Sequence, residues 1–455
     1  MTVTTGLPSL PELLAALQPE PVAPADPDTP LAAQPAGDFA VLAWLDQLQQ
    51  QYSRAGYTAE LAAEVLARWD SITPRELHAR LPDQPAVRAD TEPELAGVRR
   101  LLQAEIEQGI ETGTQLSVSY QGRVFDVVCG QNGTGQPLTA DSYVPWTCSS
   151  KPLGALALAR CWETGALDLD TPVAAVLPDY AGGGKQAIRV RDLLGHTTGL
   201  PDPVLTVDAS GVVITGWDDI DALIWSAICA APTVSAPGSA MIYNPVANWF
   251  VLDRLLNTLS GGRSGDSYRS LIAELGLAAC LGFPELPEQQ RVTIGTLEDQ
   301  QTGLQQMQLA SALPLPGIGV WGPMAELRVV GEILLAQGKH GETRLVSPAG
   351  IEALTATHWP GTPGRDICDT DFPYGLGVMT LPAILGRCCS VRAYGHAGGN
   401  SSALVVDPAA GLVVAAYWNG RLDDARTFAR RFALLRALYD DLGLPAQPAA
   451  TGSAR

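Results

Sequence analysis

SSALVVDPAAGLVVAAYWNG, residues 401–420, is the stretch whose reading decides the fold. Two apolar runs rich in Val, Leu and aromatic residues read as strands, joined at Pro408 to Gly411, residue types that turn the chain. Far upstream, TQLSVSYQGRVFDVVCGQNG (114–133) reads the same way, as two short strands around a turn at Gln121-Gly122. An amphipathic helix precedes that pair in ELAGVRRLLQAEIEQGI (94–110), and a long one, DDARTFARRFALLRALYDDLG (423–443), closes the domain. Between the strand runs, PLGALALARCWETGALDLDTPVAAVLP (152–178) starts with an apolar helix ended by Gly165, and the chain to about residue 300 is mostly helix and loop. Strands at both ends of a domain with helices between them argue for an α+β fold, its antiparallel sheet completed by distant segments and carrying a helical insertion.

Residues 1–90 read as an extension to this domain. Its first part is an arm rich in Pro, Ala and Asp with one short helix at LPELLAAL (10–17). Apolar residues then recur at helical spacing in FAVLAWLDQLQQQY (39–52) and TAELAAEVLARW (58–69), and TPRELHARL (73–81) opens with Thr73 as cap, Pro74 at N1 and Glu76 at N3. Docking on the main domain is the expected use of such helices, with lidding of a cleft or recruitment of a partner as alternatives. PDQPAVRADTEP (82–93) reads as a linker, residues 91–445 as the main domain and 446–455 as a tail.

Composition narrows the function. Forty-eight acids against 29 bases leave a net charge of −19, which repels polyanions, so nucleic acid is not an expected partner. No apolar run reaches the roughly 18 residues of a membrane span, and the N-terminus lacks a signal-peptide pattern, so a cytoplasmic protein is expected. The eight cysteines are scattered with no CxxC pair, and all but Cys148 are expected to be small buried residues. The five histidines (78, 196, 340, 358, 396) are too widely spaced for a metal site; neither metal nor cofactor is expected.

Three segments carry candidate chemistry. In CSSK, Cys148 to Lys151, residues i and i+3 at the start of a helix share a face, so Lys151 can lie beside the Cys148 sulfur. A helix N-terminus and an ammonium both favour thiolate over thiol. PGSAMIYNP places Tyr243 in a turn-rich context, where a phenol near a lysine can give or take a proton. In YGHAGGNSSALVVDP, His396 precedes a glycine-rich strand edge whose N–H groups could hold an oxyanion.

In this order the segments resemble those of the serine β-lactamase and penicillin-binding protein superfamily, most of all its class C β-lactamase branch with esterases, D-peptidases and transacylases. WETGALDLDTPVAAVLPDY, IRVRDLLGHTTGLPD, PGSAMIYNPVANWFVLDRLL and GVWGPMAELRVVGEILLAQGKHGETRLVSPAGIEALT extend the resemblance over about residues 95 to 443. It implies that Cys148 stands where the acylated serine stands, Lys151 helps deprotonate it and Tyr243 shuttles protons. His396, Ala397 and Gly398 take the place of the Lys-Thr-Gly triplet, in the His-x-Gly form of esterase-like members. The N–H groups of Cys148 and Gly399 would form the oxyanion hole, with Asn244 and Gly398 against the substrate. His196 is expected to be structural.

Two departures shape the expected activity. The nucleophile is cysteine rather than serine, and Pro245 stands where the Tyr-x-Asn motif has its Asn, with Asn244 one step early. Loss of that amide removes a support for the lysine and argues against β-lactam hydrolysis and D-peptidase activity. A thioester acyl-enzyme favours transfer to amines over hydrolysis, so the expectation is an acyltransferase of small-molecule metabolism, with a small-molecule acyl donor and an amine or alcohol acceptor. The acidic surface disfavours anionic donors. A hydrolase, a binding protein on the same fold, and a cysteine substituted for a native serine to slow turnover remain alternatives.

Overall fold

The structure is a computed structural model and describes residues 26–34, 37–52, 57–81, 95–133, 135–206, 216–282, 292, 295–296, 313–361, 371–380, 385–399 and 401–445. The helix expected at LPELLAAL, the linker at 82–93 and the tail at 446–455 lie outside these residues.

Both strand pairs read from the sequence form. The main sheet comprises β1 (Gly113–Tyr120), β2 (Arg123–Gly130), β3 (Tyr394–Gly398), β4 (Ser402–Asp407) and β5 (Leu412–Trp418), in the order β2-β1-β5-β4-β3. All neighbours are antiparallel, with Ser117 opposite Ala415, Val405 opposite Val414 and Leu404 opposite His396. The β1–β2 turn places Gln121 at φ 49° and Gly122 at φ 77°, the left-handed pair whose twist suits a two-residue hairpin. Distant segments thus complete one sheet, with β1 wedged between β2 and β5.

Period-2 alternation sends the strand side chains into two cores. Leu412, Val414, Ala416 and Trp418 of β5 enter one, whereas Val413, Ala415 and Tyr417 enter the other. The second core is covered by α5 (Lys151–Glu163), α7 (Ala247–Ser260), α9 (Met324–Leu335) and α10 (Pro348–Thr355), to which α6 (Trp217–Ala230) and α8 (Asp266–Glu274) add a helical lobe. Close approach of α9 to the sheet depends on Gly331, where a Cβ would stand 2.5 Å from Val413 Cγ1 and 2.9 Å from Leu404 Cδ1.

The first core is covered by α4 (Ala96–Glu107) and α11 (Asp424–Asp441), and it continues into the extension. There α1 (Gly37–Tyr52) and α2 (Ala59–Ala67) pack on α4 and α11, and α3 (Pro74–His78) starts with the capping box read from Thr73 and Glu76. The extension is therefore docked through its apolar faces. On α1 the buried carboxylate of Asp46 pairs with Arg387 at 3.3 Å and Arg436 at 3.2 Å.

A second buried charge cluster ties α4 and α11 to the start of β1. Arg430 lies 3.3 Å from Glu111 and 3.6 Å from Glu105, all three essentially without solvent exposure. Glu111 accepts from the backbone N–H groups of Thr112, Gly113 and Gly420, whereas neither Glu105 oxygen accepts a hydrogen bond among the described residues. One guanidinium balances one carboxylate, and burial pushes the Glu105 carboxyl up to about 7.

The expectation of buried cysteines holds only in part. Cys388 and Cys389 are buried, but Cys129, Cys161, Cys229 and Cys280 are partly exposed, and Cys368 lies outside the described residues.

Candidate active site

Trp146 sets the entry to the site. Its indole is buried, its backbone N–H donates to Val320 and its Nε1 donates to Gly322 O at 3.0 Å. A single 3₁₀ turn, Thr147–Ser150, then runs directly into α5, so Cys148 lies one turn before Lys151. Thr147 adopts φ 45°, a left-handed conformation that is strained for a β-branched residue. Hydroxyl contacts hold it there: Thr147 and Ser149 each meet Ser402 Oγ at 3.0 Å, Ser149 Oγ donates to His396 O at 3.0 Å, and Ser150 Oγ donates to Thr147 O at 2.8 Å. Ser149 and Ser150 are fully buried and spent on this network, whereas Cys148 is partly exposed.

Lys151 is fully buried. Its Nζ donates to Pro245 O at 3.0 Å and Gly317 O at 3.1 Å, and both it and the half-buried Tyr243 hydroxyl lie within hydrogen-bonding reach of the Cys148 sulfur. The ammonium also stands 5.7 Å from the centroid of the Tyr243 ring. Burial pulls the Lys151 pKa down from the ordinary lysine value, opposed by the charges of Cys148 and Asp202. Burial holds the Tyr243 phenol well above its ordinary value, aided by Cys148 and Tyr374. Burial thus shifts both groups towards their neutral forms.

At Pro245, where the expected asparagine side chain is missing, the lysine is met by the backbone carbonyl. Asn244 also sits differently from its expected place against the substrate. It is fully buried, its Nδ2 donates to Leu200 O and its Oδ1 accepts from the Asn248 N–H, so its amide organises the start of α7.

His396 is equally enclosed. Its Nδ1 lies 2.7 Å from Ala397 O and its Nε2 lies 2.8 Å from the Tyr374 hydroxyl, which fixes the proton on Nδ1 and makes Tyr374 the donor to Nε2. Burial and the Lys151 charge keep the ring neutral, its pKa well below the histidine value. With both nitrogens engaged, His396 packs its ring 6.2 Å from that of Tyr243, and the Tyr374 ring packs 6.5 Å from Tyr243 and 5.1 Å from His196.

His196 takes the structural place expected of it. At φ 56° its carbonyl accepts from Ile242 N–H and its Nδ1 from Asn244 N–H, clamping both neighbours of Tyr243. Gly398 ends β3 against the nucleophile turn, where a Cβ would stand 2.7 Å from Cys148 N and 2.0 Å from Thr147 Oγ1. Gly399 follows at φ 53°, turning the chain beside that N–H.

Cys148, Lys151, Tyr243 and Gly398 thus meet in one site, with the His396 ring against both Tyr243 and Tyr374. Sequence reading missed Tyr374 and Asp202. The signal for Tyr374 was an aromatic residue beside the paired glycines of PYGLG, outside any periodic element; for Asp202 it was an acid between two prolines. Among the described residues no cluster of three His, Cys, Asp or Glu side chains could hold a metal ion, and no helix is long and apolar enough to cross a membrane.

A catalytic turn at the head of a buried helix, a tyrosine loop and a glycine-edged strand beside an α+β sheet define the β-lactamase fold, shared by penicillin-binding proteins and esterases. The chain belongs to the beta-lactamase family, which it matches over residues 98–438. It is 25% identical over 331 residues to penicillin-binding protein 4 of Amycolatopsis lactamdurans, covering 68% of this chain and 81% of that protein. Acyltransferase calJ of Penicillium decumbens is 27% identical over 210 residues, 40% of this chain and 49% of that one. A solved family VIII carboxylesterase superposes with a TM-score of 0.60 at 22% identity, covering 77% of this chain and 99% of that structure. Hydrolysis or transfer of acyl groups is the activity class these relatives define.

Proposed function

We propose that the protein is an acyltransferase working through a Cys148 thioester. The observation that carries this reading is the Cys148 sulfur within reach of both Lys151 and Tyr243, while the two neighbouring serines are buried in the backbone network. The sulfur attacks the carbonyl carbon of an ester or thioester donor as its proton passes to Lys151. The N–H of Cys148, with Gly399, holds the oxyanion, and Tyr243 protonates the departing alcohol or thiol. In the second half-reaction the Tyr243 phenolate takes the proton of an amine or alcohol acceptor, whose lone pair displaces the Cys148 thiolate from the acyl carbon, and Lys151 returns its proton to the sulfur.

A thioester reacts more readily with amines than its oxygen ester would, which supports transfer over hydrolysis, and the likeness to an acyltransferase points the same way. The likeness to an esterase fold favours the second reading, in which water resolves the thioester. Intact-mass measurement on the wild type and Cys148→Ala, after incubation with 4-nitrophenyl acetate with and without an amine mixture, decides between them. An adduct on Cys148 discharged faster by amine supports transfer, and equal discharge by buffer means hydrolysis. If no adduct forms and both proteins behave alike, Cys148 is not a nucleophile and the fold serves binding.

A further inference from the structure

The Tyr-x-Asn side chain that this chain lacks has a substitute in the loop that carries His196. Asp202 Oδ2 accepts from the backbone N–H of Val246 at 2.6 Å and of Ala247 at 3.1 Å, while its Oδ1 accepts from Val204 N–H at 3.0 Å. The Val246 N–H belongs to the same peptide unit as the Pro245 carbonyl, and that carbonyl accepts from Lys151 Nζ at 3.0 Å. Carboxylate, peptide and ammonium therefore form one chain, each link polarising the next. A carboxylate that draws on the N–H end of a peptide makes its carbonyl a stronger acceptor. The peptide is also held against rotation at both ends.

We infer that Asp202 is the positioning residue for Lys151, acting through the Pro245–Val246 peptide in place of an asparagine side chain. Resting on the reading of Cys148 as nucleophile and Lys151 as its base, the inference deepens it by naming what holds the base. Asp202 keeps the buried ammonium aimed at the sulfur and supplies a counter-charge to it. The titratable and charged groups facing Lys151 are Cys148 on its own turn, Tyr243 above it, Asp202, and the neutral His196 and His396. Among these, Asp202 is the carboxylate.

The test follows the rate at which iodoacetamide alkylates Cys148, mapped by mass spectrometry, from about pH 6 to pH 10 in the full-length protein. Wild type is compared with Asp202→Asn and Asp202→Ser, both good helix caps that keep a hydrogen-bond acceptor without the charge, and with Lys151→Met. Melting curves verify that each variant is folded. The wild-type rate should rise along a limb that Lys151→Met displaces. In both Asp202 variants its midpoint should fall by roughly one pH unit, because the anion that favoured the ammonium is gone. A purely structural carboxylate would lower the rate equally at every pH and leave the midpoint in place, and that result, or no change at all, overturns the inference. Parallel acylation by 4-nitrophenyl acetate separates the two ideas. A moved midpoint without acyl-enzyme leaves Asp202 positioning Lys151 and removes the transfer reading, whereas acyl-enzyme with an unmoved midpoint does the reverse.

Discussion

Replacing Glu105 by Gln should make the protein more stable, by an amount that grows with pH. In the folded chain the Glu105 carboxyl is fully buried against Arg430, whose single charge is already matched by Glu111, and burial raises its pKa from 4.5 to about 7. The folded state therefore keeps a proton that the unfolded chain has released between those values. Wherever the native state binds more protons, stability falls as pH rises, so the loss begins near pH 4.5 and is complete somewhat above 7. At 1.36 kcal/mol per unit, the full loss is about 3 kcal/mol. Integrated over the same interval, it amounts to about 1 kcal/mol at pH 5 and about 2 kcal/mol at pH 6. Gln carries no charge to desolvate and is close in shape. Urea unfolding followed by tryptophan fluorescence at several pH values, in wild type and Glu105→Gln, isolates this contribution because the other titrations are common to both. A stability difference that stays flat between pH 5 and pH 8 would refute the reasoning.

Gly331→Ala should cost about 1–3 kcal/mol in thermal unfolding although alanine is the better helix former, because its Cβ would collide with Val413 and Leu404. Asp46→Ala leaves Arg387 and Arg436 without their shared carboxylate in a largely buried setting, and a loss of about 3 kcal/mol with earlier proteolysis of the extension is expected. Gly398→Ala places a methyl group at the Cys148 N–H and Thr147 hydroxyl; acyl-enzyme formation should slow by about a hundredfold or more, with a much smaller change in melting temperature.

How much of this was legible depends on the range of the interaction. The hairpins at Gln121-Gly122 and Pro408–Gly411 and the capping box at Thr73 are set by neighbours within four residues, and all were readable. The closeness of Lys151 to Cys148 was also readable, since one helical turn fixes it. What Asn244 and Pro245 do was not, because a side chain one position off in sequence can turn into the core while a backbone carbonyl takes its task. The Tyr374–His396 contact joins residues that share only a bridge through Met379 at the edge of β3. No local pattern encodes it. Burial likewise decides the states of Lys151, His396 and Glu105, and burial is known only once the elements have packed.

The place of β1 in the sheet bears on how the chain is made. As the ribosome releases the chain, the β1–β2 hairpin is the first part of the sheet to emerge, yet the partner on the other side of β1 is β5, some 300 residues later in the register that sets Ser117 against Ala415. Until that strand arrives, one edge of β1 is unpaired and its apolar face is shared only with α4 and whatever of the extension has already folded. Synthesis at about 5–20 residues per second leaves that edge open for tens of seconds. The docked helices α1 and α2, made before β1 and packed on α4, are the elements on hand to shield the nascent hairpin during that wait.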